Sequence, residues 1–208
     1  FEDTDITHVE GRIDPLADLE IIETELMLAD LESLEKRVPN LEKRAKTGDK
    51  ESATTLRLIN LALEQLNAGH PARAAKVAKE DEKAWHMLQL LTSLPALYVA
   101  NVDEESAASG NSLSEKVAER ARRDNARLVV ISAKIESEIA MLAEEERAEF
   151  LETLGLAEPG LNRLIHDAYA LLGLQTYFTV GPKEARAWTI HVGDTAPRAA
   201  GEIHTDFE

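Results

Sequence analysis

Ala96-Leu97-Tyr98-Val99-Ala100 and Leu128-Val129-Val130-Ile131 are two short, uninterrupted apolar runs, and their pairing decides the fold. The second is the richer in β-branched residues. Between them an amphipathic stretch over about 114–125 predicts a helix. Strand, helix and strand with continuously apolar strands make a βαβ unit, whose strands are buried on both faces of a parallel sheet. The class that follows is α/β.

Working towards the C-terminus, two helices are predicted over about 143–153 and 160–172, separated by Pro159-Gly160. The runs 175–180 and 185–192 alternate like strands, with Gly181-Pro182-Lys183-Glu184 turning between them. Thr195 can cap a further helix with Pro197 in its first turn. Trp188 lies on the second of these strands and is expected in the core.

Working towards the N-terminus, the texture differs. No aromatic residue occurs between Phe1 and Trp85, so this part of the chain is expected to form something thin. Asp14-Pro15 is a helix start, with a capping carboxylate followed by proline. Leu19, Ile22, Leu26, Met27, Leu31, Leu34, Val38, Leu41 and Ala45 form a heptad-like stripe. Pro39 should kink or break that helix near Val38. Thr47-Gly48-Asp49-Lys50 reads as a turn, and Leu56, Ile59, Leu63 and Leu66 as the stripe of a second helix. Together they predict an antiparallel helical hairpin. A third helix is expected from about Glu80 to Leu91.

Composition narrows the function. The 208 residues hold 23 Lys+Arg against 39 Asp+Glu, a formal charge of −16, which argues against a general nucleic-acid coat protein. One local exception surrounds the hairpin turn. Between Glu35 and Lys50 there are six basic residues (36, 37, 43, 44, 46, 50) and three acidic ones (35, 42, 49). A solvated helix face and an RNA-contacting patch are both open readings of it. The chain has no cysteine, which excludes disulfides, thiol catalysis and thiolate-held metals. No apolar run is long enough to span a membrane, and no leader is visible, so a cytoplasmic protein is expected. The chain opens on Phe1-Glu2-Asp3 without Met and stops at Asp206-Phe207-Glu208, and it is read as an internal piece of a longer chain.

Ligands of parallel α/β sheets bind at the carboxyl ends of the strands. The first strand ends in Asn101-Val102-Asp103-Glu104 and the second in Ser132-Ala133-Lys134. The first resembles the N-K-x-D base-reading motif of GTPases, with Val102 at its lysine position and Glu104 in place of the aspartate that accepts guanine's N1–H and N2 amine. Losing that acceptor leaves buried donors unpaired, at about 1–3 kcal/mol each, enough to remove a guanine preference. The second resembles the S-A-K element whose backbone N–H supports the base. His8, Glu10 and Asp14 read as solvated polar residues rather than metal ligands. His86, His166, His191 and His204 lack any paired spacing.

Longer strings carry a more specific resemblance. Asp5-Ile6-Thr7-His8-Val9-Glu10-Gly11-Arg12-Ile13-Asp14-Pro15, Tyr98-Val99-Ala100-Asn101-Val102, Glu158-Pro159-Gly160-Leu161-Asn162-Arg163, Leu174-Gln175-Thr176-Tyr177-Phe178 and Ala185-Arg186-Ala187-Trp188-Thr189 resemble the YchF/Obg-like ATPase family. So does Ala199-Ala200-Gly201-Glu202-Ile203-His204-Thr205-Asp206-Phe207. The resemblance implies a P-loop NTPase parallel sheet, an inserted antiparallel coiled-coil hairpin and a truncated β-grasp (TGS) module. It divides the chain into 1–22 and 93–172 (nucleotide-binding domain), 23–92 (hairpin) and 173–208 (TGS). It implies ATP or GTP with Mg²⁺ as cofactors of the parent protein, ATP preferred, and association with the ribosome and its RNA through the hairpin and TGS region. It places the base site at Asn101, Val102, Glu104, Ser132 and Ala133, with an aromatic, Phe1, close by. The family's phosphate loop, Mg²⁺-binding residues and catalytic histidine would precede residue 1. No G-x-x-x-x-G-K-[ST] occurs here; the nearest approach, Gly110 to Lys116, has Glu115 and Val117 at the second glycine and hydroxyl positions. No catalytic residue is therefore assigned, and the fragment is expected to be inactive alone. Sheet edges left unpaired by the truncation would favour self-association. Pro39 departs from the family pattern.

Overall fold

The computed structural model describes residues 13–204 and 206, which fall into two compact units dividing between Pro95 and Ala96. Phe1 and the string 5–12 lie outside the described residues.

In the first unit, helix α1 (Pro15–Lys46) begins where expected: Asp14 accepts a hydrogen bond from the Ala17 N–H at 3.2 Å, and Pro15 opens the first turn. Lys43, Arg44 and Lys46 fill the last turn, where positive charge complements the helix dipole. Gly48 turns the chain at φ 91°, a conformation costly for any residue with a Cβ. Asp49 then caps α2 (Lys50–Asn67). Its Oδ1 accepts from the N–H of Glu51 and Ser52, and its Oδ2 accepts from the Ser52 hydroxyl and from the Arg44 guanidinium at 2.8 Å. These bonds, the Ser52 hydroxyl foremost, hold the Asp49 carboxyl below its ordinary range. One carboxylate thus ties the end of α1 to the start of α2.

Pro39 does not break α1, which runs on as a single 32-residue helix. The proline forfeits one backbone bond, but Leu34 is fully buried and Val38 and Leu41 pack on the hairpin core, so the seam holds the helix on both sides. The seam differs from the expected stripes in two places. Leu58 and Ala62 join Ile59 and Leu66 as the buried positions of α2, while Leu56 and Leu63 are only partly covered. On α1, Ile22 and Leu26 face solvent, so the stripe is core only from Met27 onwards.

The expected third helix is replaced by short pieces. Single 3₁₀ turns occupy Lys79–Asp81 and Leu91–Ser93, and α3 (Glu82–His86) is one turn long. Gln89 adopts φ 57° and ends any helical path. The break lets Trp85, Leu88 and Leu90 all reach the core, which no single helix face could do. Arg37 donates to the Leu88 carbonyl at 3.1 Å. Below the break sits Asp30, only 3% exposed. It accepts from the Leu91 N–H (2.9 Å), the Thr92 N–H (2.8 Å) and the Thr92 hydroxyl (2.7 Å), and that hydroxyl accepts in turn from the Ala72 N–H.

The second unit contains the βαβ element. Strand β1 (Leu97–Asn101) pairs in parallel with β2 (Arg127–Ile131), Leu97 opposite Arg127 and Asn101 opposite Ile131. Helix α4 (Ser112–Arg123) connects them, opened by a reciprocal cap between Asn111 and Ser114. The strands are less covered than expected. Val129 is buried, but Val99 is 45% exposed, because β1 has β2 as its one strand neighbour among the described residues. Helix α5 (Ala133–Met141), which was not anticipated, follows β2 directly and buries Ile135 and Ile139 with Ala107 and Leu151. Then come α6 (Glu144–Thr153) and α7 (Gly160–Leu172), the latter ending at Gly173 with φ 63°.

Strands β3 (Leu174–Val180) and β4 (Ala185–His191) form an antiparallel hairpin, followed by α8 (Ala196–Gly201). Trp188 is half-buried rather than core. The Arg186 guanidinium lies 4.5 Å from its ring centre and its indole N–H donates to Thr179 Oγ1. The buried position of β4 is Ile190, since a two-stranded hairpin with one short helix has too little cover for an indole. Thr195 stands at the start of α8 without a side-chain cap; Asp194 instead binds the His191 N–H and Arg198.

Removing Asp30's charge tests the first unit. Asp30→Ala leaves two backbone N–H groups and a hydroxyl unpaired, and is expected to destabilise this unit by about 2–4 kcal/mol. Urea unfolding followed by Trp85 fluorescence measures it; a midpoint unchanged from wild type would contradict the role.

Candidate functional site

Parallel pairing of β1 with β2 sets their carboxyl ends side by side. The ladder continues one step past β1, with the Val102 N–H donating to the Ile131 carbonyl at 2.8 Å. Val102 is thereby buried. Two side-chain bridges then join the strand ends. Asn101 Oδ1 accepts from the Ala133 N–H at 2.9 Å, and Lys134 Nζ meets Glu104 Oε2 at 2.6 Å. Asn101, Val102, Glu104, Ser132 and Ala133 are therefore brought together at one place, and Phe1 lies outside the described residues.

The bond to Asn101 fixes the chemistry of its amide. An N–H can be received only by the carboxamide oxygen, so Nδ2, with two hydrogens, is left to donate. Ser132, 3% exposed, has a buried hydroxyl that meets no partner. Asp103 turns back on its own loop: Oδ1 accepts from the Ser106 N–H at 2.8 Å, and the Ser106 hydroxyl and N–H hold its carboxyl below the ordinary aspartate range. The site thus carries two carboxylates, Asp103 and Glu104, and both are engaged.

A brace behind the site escaped the sequence reading. Glu136, on α5, accepts from the N–H groups of Gly160 (2.7 Å) and Leu161 (3.1 Å) and so caps α7. A Cβ at Gly160 would stand 2.8 Å from Ile131 Cγ2 and 2.9 Å from Glu136 Oε1, so only glycine lets α7 approach β2 this closely. The signal was the Pro159-Gly160 pair, read only as a separator. Lys134 lay within the S-A-K element, but nothing in the spacing announced its ion pair with Glu104.

Known proteins are similar to this chain over its whole length. A Haemophilus influenzae protein named "Ribosome-binding ATPase YchF" is 50% identical over 208 residues, and the Bacillus subtilis protein of that name is 48% identical over 210. The solved structure of the Schizosaccharomyces pombe YchF GTPase superposes with a TM-score of 0.82 at 32% identity and matches all of this chain. The chain is similar to YchF proteins along its whole length. It spans 57% of the length of these YchF proteins. The model of the YchF-GTPase C-terminal family, described as a protein of unknown function (DUF933), matches residues 174–208, the segment of β3, β4 and α8.

The Asp103 turn yields a pH prediction. A carboxyl held low in the folded state contributes above its ordinary pKa and loses that contribution as pH falls through the depressed value. Ser106→Ala removes the larger cause, so the Asp103 midpoint should move up towards the ordinary aspartate value. Carboxyl-carbon NMR titration reads the shift, and an unmoved midpoint would refute the assignment.

Proposed function

We propose that this chain carries the base-recognising half of a nucleotide-binding domain, within a ribosome-associated ATPase of the YchF type. The observation that carries the reading is the Asn101–Ala133 bond. It leaves the Asn101 Nδ2 as a fixed donor at the carboxyl ends of two parallel strands. A purine N7 is the complementary acceptor. The Ser132–Ala133 backbone supports the base, Val102 closes the pocket floor, and Glu104 stands where a guanine-reading aspartate would. Phe1 is a further candidate for the base pocket. ATP is the preferred nucleotide on this reading, because neither carboxylate of the site is free to receive guanine's N1–H and N2 amine.

The phosphates are a separate matter. The 208 residues contain no G-x-x-x-x-G-K-[ST] loop, and among the described residues no three His, Asp or Glu side chains cluster as a metal site. The residues present fit a base and not a Mg²⁺–triphosphate, so no hydrolytic step is assigned to them. The relatives' names, ATPase and GTPase, support a parent protein that binds ATP or GTP, and Mg²⁺ as its partner belongs to the same proposal. The division into nucleotide-binding segments (1–22, 93–172), hairpin (23–92) and TGS module (173–208) belongs to the same proposal. So do a cytoplasmic location and self-association through exposed sheet edges. No helix among the described residues is long and apolar enough to cross a membrane.

Two outcomes are expected of the purified chain. AMP should shift the Ala133 amide resonance, and Asn101→Ala should abolish that response while ATP turnover stays at background throughout. An AMP response that survives Asn101→Ala would remove the base site from these residues.

The hairpin supports a second role, ribosomal RNA contact without enzymatic activity. The basic excess at its turn is smaller than the residue count suggests. Arg37 is spent on the Leu88 carbonyl, Lys36 on Glu32 and Arg44 on Asp49. Lys43, Lys46 and Lys50 are the exposed cations that remain. Ribosome co-sedimentation should weaken steeply with added salt, and the triple change to Ala should remove most of it. Binding insensitive to both salt and the triple change would exclude the hairpin turn.

A further inference from the structure

The two carboxylates beside Asn101 are withheld in different ways, and only one can be released by a single outside change. Asp103 is held by its own loop through Ser106, three residues on. Glu104 is held from across the site by Lys134, on the first turn of α5, at 2.6 Å. Glu104 lies three residues beyond Asn101, the spacing at which a carboxylate accepts from guanine. It has one more methylene than aspartate, which gives it reach towards α5 and freedom to swing. The replacement of Asp by Glu does not by itself remove a guanine acceptor, since the carboxylate is still present. What removes it is the ammonium group that draws it aside.

We infer that Lys134 is the positioning residue that sets base choice in this site, by holding the Glu104 carboxylate away from the guanine N1–H and N2 donors. The inference rests on the base-site reading of Asn101. Both partners are substantially solvent-exposed, 65% for the Lys134 side chain and 43% for that of Glu104. Exposed ion pairs of this kind are weak, so the bias they impose is modest and reversible rather than absolute. Adenine suffers no such penalty. Its N1 accepts rather than donates, and its N7 meets Asn101 Nδ2 as guanine's does. Lys134 therefore acts on selectivity and leaves the shared contact alone.

The test uses AMP and GMP titrated into the isotope-labelled 208-residue chain, with dissociation constants read from the Ala133 amide. Lys134→Met should free Glu104 to make charge-assisted bonds to guanine. The ratio of GMP to AMP affinity should rise by about two- to tenfold, with AMP affinity little changed. Lys134→Arg keeps the ion pair and should keep the wild-type ratio. Lys134→Met combined with Glu104→Gln should return the ratio to near wild type, because the amide carries no charge and offers one acceptor oxygen where the carboxylate offers two, its NH2 opposing the second guanine donor. A GMP/AMP ratio unmoved by Lys134→Met, in a chain whose response to both nucleotides is lost with Asn101→Ala, overturns this inference and leaves the base site standing. A wild-type chain that responds to neither nucleotide overturns the base site and the inference together. A ratio that rises equally in the Lys134→Met single and double variants also overturns it, since Glu104 would then play no part.

Discussion

Everything proposed for the second unit depends on β1 and β2 running parallel in one register. Antiparallel strands would send Asn101 and Ser132 to opposite ends of the sheet. Parallel pairing forces a crossover, which α4 supplies, and delivers both carboxyl ends to one edge. The register then does the finer work. With Asn101 opposite Ile131, the Val102 N–H adds a further rung, and the side chain of Asn101 is left level with the first N–H of α5. A slip of one residue would bury Asn101 and turn Val102 outward. Glu136 and Gly160 secure the same geometry from behind, because α7 can approach β2 only where no Cβ intervenes.

The first unit solves a different problem. A hairpin with no aromatic residue on either long helix has a thin seam, and its free end needs closing. Trp85, Leu88 and Leu90 close it, but the chain must bend sharply to bring all three inward, and bending exposes backbone N–H groups to an apolar interior. Asp30 answers those donors. Its burial would be costly in isolation, but each oxygen is matched to a donor. Asp49 plays the equivalent part at the other end, where solvent is at hand and the demand is only to cap one helix and hold the other.

How much of this was legible in the sequence follows the range of the interactions. The βαβ unit, the hairpin turn at 47–50 and the start of α7 at Gly160 were readable, because apolar runs, caps and Pro-Gly pairs act within a few residues. The place where Asn101, Glu104, Ser132 and Ala133 meet was readable too, since parallel topology alone brings strand ends together. What was hidden acts over distance. The bend at Gln89 answers Asp30, about 60 positions earlier. Pro39 sits in an unbroken helix because α2 holds both flanks, which local propensity cannot express. Helix α5 was missed because its polar opening, Ser132-Ala133-Lys134, was read as a strand exit, and its apolar pair Ile135 and Ile139 is too short a stripe to stand out.

A net charge of −16 opposes binding a polyanion through charge alone. The site shows how local arrangement overrides the sum. Of its two carboxylates, Asp103 is turned onto Ser106 and Glu104 onto Lys134, so neither projects an unopposed charge towards the strand ends. On the base-site reading, what is left to face a ligand is the Asn101 amide hydrogen pair, with the Ser132 hydroxyl and Val102 buried beside it. Such a surface selects by hydrogen-bond pattern rather than by charge. That is what reading a base requires and what gripping a triphosphate does not. The bulk acidity is carried elsewhere, for example on the first turn of α6 with Glu144, Glu145 and Glu146, where it stabilises a helix start. Charge summed over a whole chain therefore describes its solubility better than its sites. The same separation holds at the hairpin, where three exposed lysines stand apart from an acidic whole.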